Sequence, residues 1–168
     1  MPDNAFFKAP WGKTLRTLTG LTCLLLLGIV LLGLFTGPSA EMVWVTLMVL
    51  MPLGILATSA LFTVRGYTLT QQTLQIQRLM WANAMSLADL QSAHVEPKAM
   101  NNSLRLWGNG GLFAFTGYFR NQKLGRYQAF ATDLEQTVVL TFPNRKIVLS
   151  PHSPDEFVNS ILKRCSDE

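Results

Sequence analysis

Charge is what this 168-residue chain has least of: Lys, Arg, Asp and Glu make up 14% of it, against roughly 25% in an ordinary soluble domain. The deficit is local. Between Arg16 and Arg65 the only charged residue is Glu41, whereas residues 65–168 hold 11 Lys and Arg and 8 Asp and Glu. This distribution excludes one ordinary soluble domain and predicts an apolar anchor joined to a soluble part. Cysteine is scarcer still. Cys23 lies inside an apolar run and Cys165 near the C-terminus, which excludes a disulfide framework and fits no metal-ligand spacing. The net charge of +4 and pI of about 9.3 are too slight and too dispersed for a nucleic-acid-binding stripe. An anionic membrane surface suits them better.

Long apolar runs are abundant. Residues 18–36 contain nine Leu with Ile29, Val30 and Phe35, and as a helix they reach about 28 Å, the thickness of a bilayer core. Residues 42–64 form a second uncharged run, with Trp44 near one end where an indole suits the headgroup layer. Gly37, Pro38, Ser39, Ala40 and Glu41 connect them and predict an antiparallel transmembrane hairpin. Lys8, Lys13 and Arg16 precede the first run and Arg65 follows the second, so the positive-inside rule places both termini in the cytoplasm, in a bacterial inner membrane. A secretory signal cleaved after Ala40 is the rival reading, and it delivers residues 65–168 to the same side. Pro52 and Gly54 predict a packing kink in the second helix. Gly33 and Gly37 give a small-xxx-small spacing that permits close helix approach and is the one hint of a homo-oligomer. With no ionisable side chain within either span, no ion path or transport site is indicated.

From Gly66 the periodicity changes to alternation broken by turn residues, the mark of short antiparallel strands. Tyr67–Leu69 and Leu74–Ile76 flank a polar turn at 70–73. Met85, Leu87 and Leu90 continue the sheet, and His94–Pro97 is a further short strand. Asn101–Gly111 reads as irregular, with its glycine cluster at 108–111 serving positive-φ turns or bulges. That cluster has neither the Lys-Ser/Thr of a P-loop nor a strand-to-helix setting. Phe113, Phe115, Tyr118 and Phe119 are core candidates, 120–125 is an exposed hairpin turn, and Val138–Phe142 pairs with Lys146–Ser150 across Pro143-Asn144. Ser153-Pro154-Asp155-Glu156 carries an N-cap serine, an N1 proline and a capping-box glutamate. Phe157, Val158, Ile161, Leu162 and Cys165 then recur on one helical face.

The order of these elements, with Tyr67-Thr68-Leu69-Thr70, Ser86–Leu90, Leu106–Gly117 and the ending Ser150–Phe157, resembles the bacterial pleckstrin-homology-like (PH-like) family. The resemblance implies about seven antiparallel strands in a bent sandwich or partly open barrel over residues 65–168, plugged by the C-terminal helix. Residues 1–17 then form a cytoplasmic segment and 18–64 the transmembrane hairpin. Phosphoinositide-binding PH domains carry basic residues in the first hairpin loop, and the matching turn here, Thr70–Thr73, has none.

The expected function is a membrane-anchored binding or scaffold module that recruits a protein partner or contacts anionic lipid. Arg120, Lys123 and Arg126 on one turn and Arg145 and Lys146 on the next are the candidate contacts, each worth about 1 kcal/mol against an anionic leaflet. A structural subunit of a larger membrane complex is the alternative, and an enzyme accessory subunit a weaker one. No cofactor, metal or nucleic acid is called for. His94 and His152 lack partners at ligand spacing, and Ser150 and Asp133 belong to no nucleophile motif.

Overall fold

A computed structural model describes residues 4–37 and 41–166. Pro38, Ser39 and Ala40, with the connector and cleavage readings that fall on them, lie outside the described residues.

The two apolar runs are helices, α1 (Lys13–Thr36) and α2 (Met42–Leu61), each long and apolar enough to cross a membrane. They pack closely through small residues. A Cβ on Gly33 would lie 2.5 Å from the Met48 Cβ, and the Trp44 indole N–H donates to the Gly33 carbonyl at 3.0 Å. A Cβ on Gly37 would overlap that same indole. The glycine spacing thus faces α2 of the same chain. Thr46–Leu50 of α2 is π-helical, a widened turn placed just ahead of the buried Pro52, whose ring and missing N–H do not fit a regular turn.

α1 begins five residues before its apolar run because its first turns belong to the soluble domain. Leu15 is fully buried there and Thr19 nearly so. The chain has also already made a strand. β1 (Ala5–Lys8) pairs antiparallel with β2 (Val64–Leu69), Phe7 opposite Tyr67, in a region the sequence reading left outside the domain. The helical hairpin is therefore an insertion between two neighbouring strands of one sheet.

That sheet runs β1-β2-β3-β4, with β3 (Thr73–Arg78) and β4 (Ala82–Ser86) completing it. A second sheet has the order β5-β9-β10-β8-β7-β6, from β5 (Ser92–Val95), β6 (Leu104–Gly110), β7 (Phe115–Asn121), β8 (Gly125–Ala131), β9 (Val138–Phe142) and β10 (Arg145–Leu149). Among the described residues there are ten strands, against about seven expected from the sequence. β1 was hidden upstream of the helices. β6 falls in the stretch whose sequence looks irregular, because it is an edge strand, mostly exposed, with glycines in place of an alternating apolar face. One pair is parallel, β8 with β10. The segment after β8 passes over one strand position, and the β9–β10 hairpin folds back into the gap.

The core lies between the sheets. Tyr67, Leu69, Leu74 and Ile76 from the first sheet meet Leu140, Ile147 and Leu149 from the second, and Phe157 and Ile161 of α3 (Pro154–Ser166) close it. Leu162 is 45% exposed and Cys165 exposed, so the buried stripe of α3 is narrower than its periodicity suggested. A second cluster on the outer face of the larger sheet gathers Phe115, Phe119, Tyr127, Val139 and Val148 under Leu15 of α1. β9 and β10 are thus buried on both faces, which is why they read as nearly continuous apolar runs.

Candidate functional site

The helices meet the domain at one end. The Thr19 hydroxyl donates to the Gly111 carbonyl at 3.2 Å and accepts from the Phe113 N–H at 3.0 Å, so the β6–β7 turn sits against α1. At the start of α1 the Gly12 N–H donates to the Thr132 carbonyl at 2.9 Å, just beyond the end of β8. The five basic residues singled out from the sequence occupy the other end. Arg120, Lys123 and Arg126 flank the β7–β8 turn, a strand length of about 20 Å from the β6–β7 turn. Arg145 and Lys146 begin β10, which runs parallel to β8.

At that far end the structure brings Arg126, Arg145 and Lys146 together. They line a cavity of about 300 Å³ with Tyr118, Gln128 and Asn144, and among the described residues no carboxylate lines it. The Arg126 guanidinium lies 4.9 Å from the Tyr118 ring centre and that of Arg145 5.1 Å from the Phe142 ring centre, which holds both side chains in place while leaving their charge uncompensated. Arg120 lies directly opposite Arg126 in the β7–β8 ladder without lining the cavity, and Lys123 forms an ion pair with Glu96. Burial raises the Glu96 pKa, but hydrogen bonds from Lys123 and His94 outweigh it and hold the carboxyl below its usual value.

Near the helices there is a larger cavity, about 580 Å³, and the sequence reading missed both cations in it. Its roof is the end of α2, Thr58, Ser59 and Phe62; its walls include Arg78, Arg105, Trp107, Leu112, Gln128 and Phe130. Arg78 is only 9% exposed. Its Nε donates to Asn83 Oδ1 at 2.8 Å, and its Nη1 to the Phe62 carbonyl at 3.0 Å, so a guanidinium caps the negative end of α2. The rings of Phe62, Trp81 and Phe130 surround it at 5.3, 5.8 and 5.4 Å. Burial lowers its pKa from the ordinary arginine value, yet arginine keeps its charge. A signal for Arg78 was present: it continues the inward alternation Leu74, Ile76 of β3, where a cation is out of place.

β6 reaches this cavity through a close backbone approach. Gly108 and Gly117 lie opposite each other in the β6–β7 ladder, at φ +108° and +132°, and a Cβ on either would come 2.2 Å from the carbonyl oxygen of a residue on the other strand. Gly108 and Gly111 of the glycine cluster take the positive φ that the sequence predicted. Apolar side chains stand open around the cavity mouth and the neighbouring β3–β4 turn: Trp107 is 78% exposed and Met80 73%.

His94 contacts Glu96 at 3.2 Å. The Ser150 hydroxyl accepts the N–H groups of Thr132 at 2.7 Å and Asp133 at 3.1 Å, a loop-fixing role. Among the described residues, no three His, Cys, Asp or Glu side chains gather as a metal site.

A two-sheet domain closed by a C-terminal helix fits the family its sequence resembles, and a family model described as bacterial PH domain matches residues 65–165. The chain belongs to the bacterial PH domain family. The match begins at β2, so β1 and both helices lie outside it. Comparison with curated proteins and with solved structures finds no match.

Proposed function

We propose that this bacterial PH domain protein is a membrane-anchored, non-catalytic binding module that recruits an acidic protein segment to the cytoplasmic face of the membrane. Anchoring is supported by the helical hairpin, whose outer surface is not covered by the described residues: Leu24 is 74% exposed, Leu32 62% and Phe35 84%. An apolar surface of that extent is tolerated only in lipid or against another protein. Lys8, Lys13, Arg16 and Arg65 flank the hairpin on the domain side, which supports a cytoplasmic domain.

The observation that carries recruitment is the far-end cavity, where Arg126, Arg145 and Lys146 converge with no carboxylate from the described residues. The anchor holds this cationic recess about 20 Å beyond the helix-proximal turn, out of contact with headgroups and open to the aqueous phase. Confinement to the membrane gives even a weak interaction a high effective concentration. A bacterial PH domain needs no deep pocket for that.

The test is purification of the full chain from native membranes in mild detergent, beside a variant with Arg126, Arg145 and Lys146 changed to Gln. A partner that accompanies the native chain, dissociates with salt and is absent from the variant supports the reading. A stoichiometric partner kept equally by both assigns the chain as a structural subunit of a complex. Absence of any partner from both overturns recruitment.

A further inference from the structure

We propose that the cavity under the end of α2 binds the phosphate of an acidic phospholipid from the leaflet next to the domain. Arg105 and Arg78 supply the positive charge, and Trp107, Phe62 and Leu112 pack against the lipid's glycerol and upper acyl region. The inference rests on the reading that α1 and α2 span the membrane.

Charge is the first argument. Arg78 and Arg105 are both among the residues lining this cavity, and among the described residues no carboxylate lines it. Arg105 is exposed, its guanidinium lies beside Gly110, and among the described residues its side chain has no hydrogen-bond or ion-pair partner. Arg78 uses Nε and Nη1 on Asn83 and the Phe62 carbonyl, leaving Nη2 for a ligand. A buried guanidinium carries a desolvation cost that an anion with bidentate oxygen geometry offsets, and phosphate is such an anion.

Position is the second. The roof residues Thr58, Ser59 and Phe62 end the second apolar helix, so the cavity opens at the depth where that helix leaves the apolar layer. A phospholipid beside α2 brings its phosphate to this depth without leaving the bilayer. A free anion has to cross the open indole of Trp107 and the Leu112 side chain, which offer it nothing. Those apolar walls, together with Phe130, match the glycerol–acyl part of an amphiphile. The β3–β4 turn beside the cavity, with Leu79 47%, Met80 73% and Trp81 38% exposed, provides a second apolar and aromatic contact with the interface.

The site differs from the first hairpin loop, where Thr70–Thr73 carries no base. It exists because the helical hairpin is inserted beside β2 and lays its end over the larger sheet.

Native mass spectrometry of the full chain in neutral detergent tests it, with phosphatidylglycerol, phosphatidylcholine or soluble glycerol phosphate added. The expected result is one retained phosphatidylglycerol per chain and little phosphatidylcholine. Arg105→Gln should lower retention about tenfold, the weight of one charge-assisted contact. Gln128→Glu, nearly isosteric, should lower it as well by adding a carboxylate to the wall, whereas Gln128→Lys should raise it. The far-end Arg126→Gln should leave it unchanged. Thermal unfolding of each variant separates lost binding from lost folding. Equal retention of both lipids, indifference to the Gln128 charge pair, or full competition by glycerol phosphate overturns the proposal. Carbonate extraction from membranes distinguishes the two levels: release of the chain defeats the spanning reading itself, while a chain that stays embedded yet retains no lipid defeats only the site.

Discussion

The backbone N–H of Ser150 donates to the phenolic oxygen of Tyr67 at 3.0 Å, across the space between the two sheets. The same hydroxyl donates to the Phe130 carbonyl at 2.6 Å, so one side chain from β2 joins the ends of β8 and β10. Tyr67→Phe keeps the ring and leaves a buried donor and a buried acceptor unpaired. The expected loss is about 2 kcal/mol, read from chemical denaturation of the full chain in detergent.

Tyr67 also sets an alkaline limit. Burial raises its pKa to about 12 from the ordinary 10. Above pH 10 the unfolded chain gives up this proton while the folded chain keeps it, so stability falls as pH rises, by roughly 1 kcal/mol per pH unit until pH 12. Below pH 10 the group contributes no slope. Comparing thermal midpoints of the native chain and Tyr67→Phe between pH 9 and 11 checks the sign: the gap between them narrows as pH rises.

The domain requires the chain before the helices. Leu15 is completely buried against the larger sheet, and Phe7 meets Phe157 of α3 edge-on at 5.1 Å. Leu15→Ala should cost about 3 kcal/mol, as for other large-to-small core changes. A fragment starting at Gly66 lacks both β1 and this helical plug. It should show lower and less cooperative thermal unfolding than the full chain, measured by circular dichroism.

Much of this was legible because burial and periodicity coincide. Leu74 and Ile76 alternate with polar residues and face the core; Val138–Phe142 and Ile147–Leu149 are apolar and lie in the sheet centre; Pro154 starts α3 where the sequence placed it. What escaped notice lacked such a pattern. Ala5–Lys8 is too short to show alternation, and its partner strand lies more than fifty residues away, across two helices. Leu104–Gly110 is an edge strand with little to bury. The five basic turn residues were found by composition, but the sequence could not reveal that two turns converge, nor that they point away from the helices. Arg78 breaks the apolar alternation of β3 in the sequence, but only the fold puts the end of α2 beside it.

Glu96 gives an acid-side prediction. Its lowered pKa means that the folded chain favours the carboxylate, so this contribution is present above the unfolded glutamate pKa and is lost as pH falls through the folded one. Lys123 is well exposed, with 74% of its side chain accessible, so the pair is worth at most about 1 kcal/mol. Lys123→Met should lower the thermal midpoint slightly at pH 7 and leave it equal to the native value at pH 3. A difference that persists at pH 3 would assign Lys123 a role other than pairing with Glu96.

Gly117 decides whether β6 can form the cavity wall. Its φ of +132° is one that alanine rarely adopts, and a Cβ there would meet the Trp107 carbonyl oxygen at 2.2 Å, a backbone atom that cannot rotate away. Gly117→Ala therefore combines a strained conformation, about 1–3 kcal/mol by itself, with a clash relieved only by separating β6 from β7. The edge strand should move first, because its other side has no ladder to hold it. Hydrogen exchange should accelerate in Leu104–Gly110 while β8 to β10 stay protected, and retention of phosphatidylglycerol should fall with it. Gly28→Ala is the matched control: nothing lies within 4 Å of the added methyl, and within α1 it should be neutral or slightly stabilising. If Gly117→Ala leaves the exchange of β6 unchanged, the close approach of the two strands does not hold the wall in place.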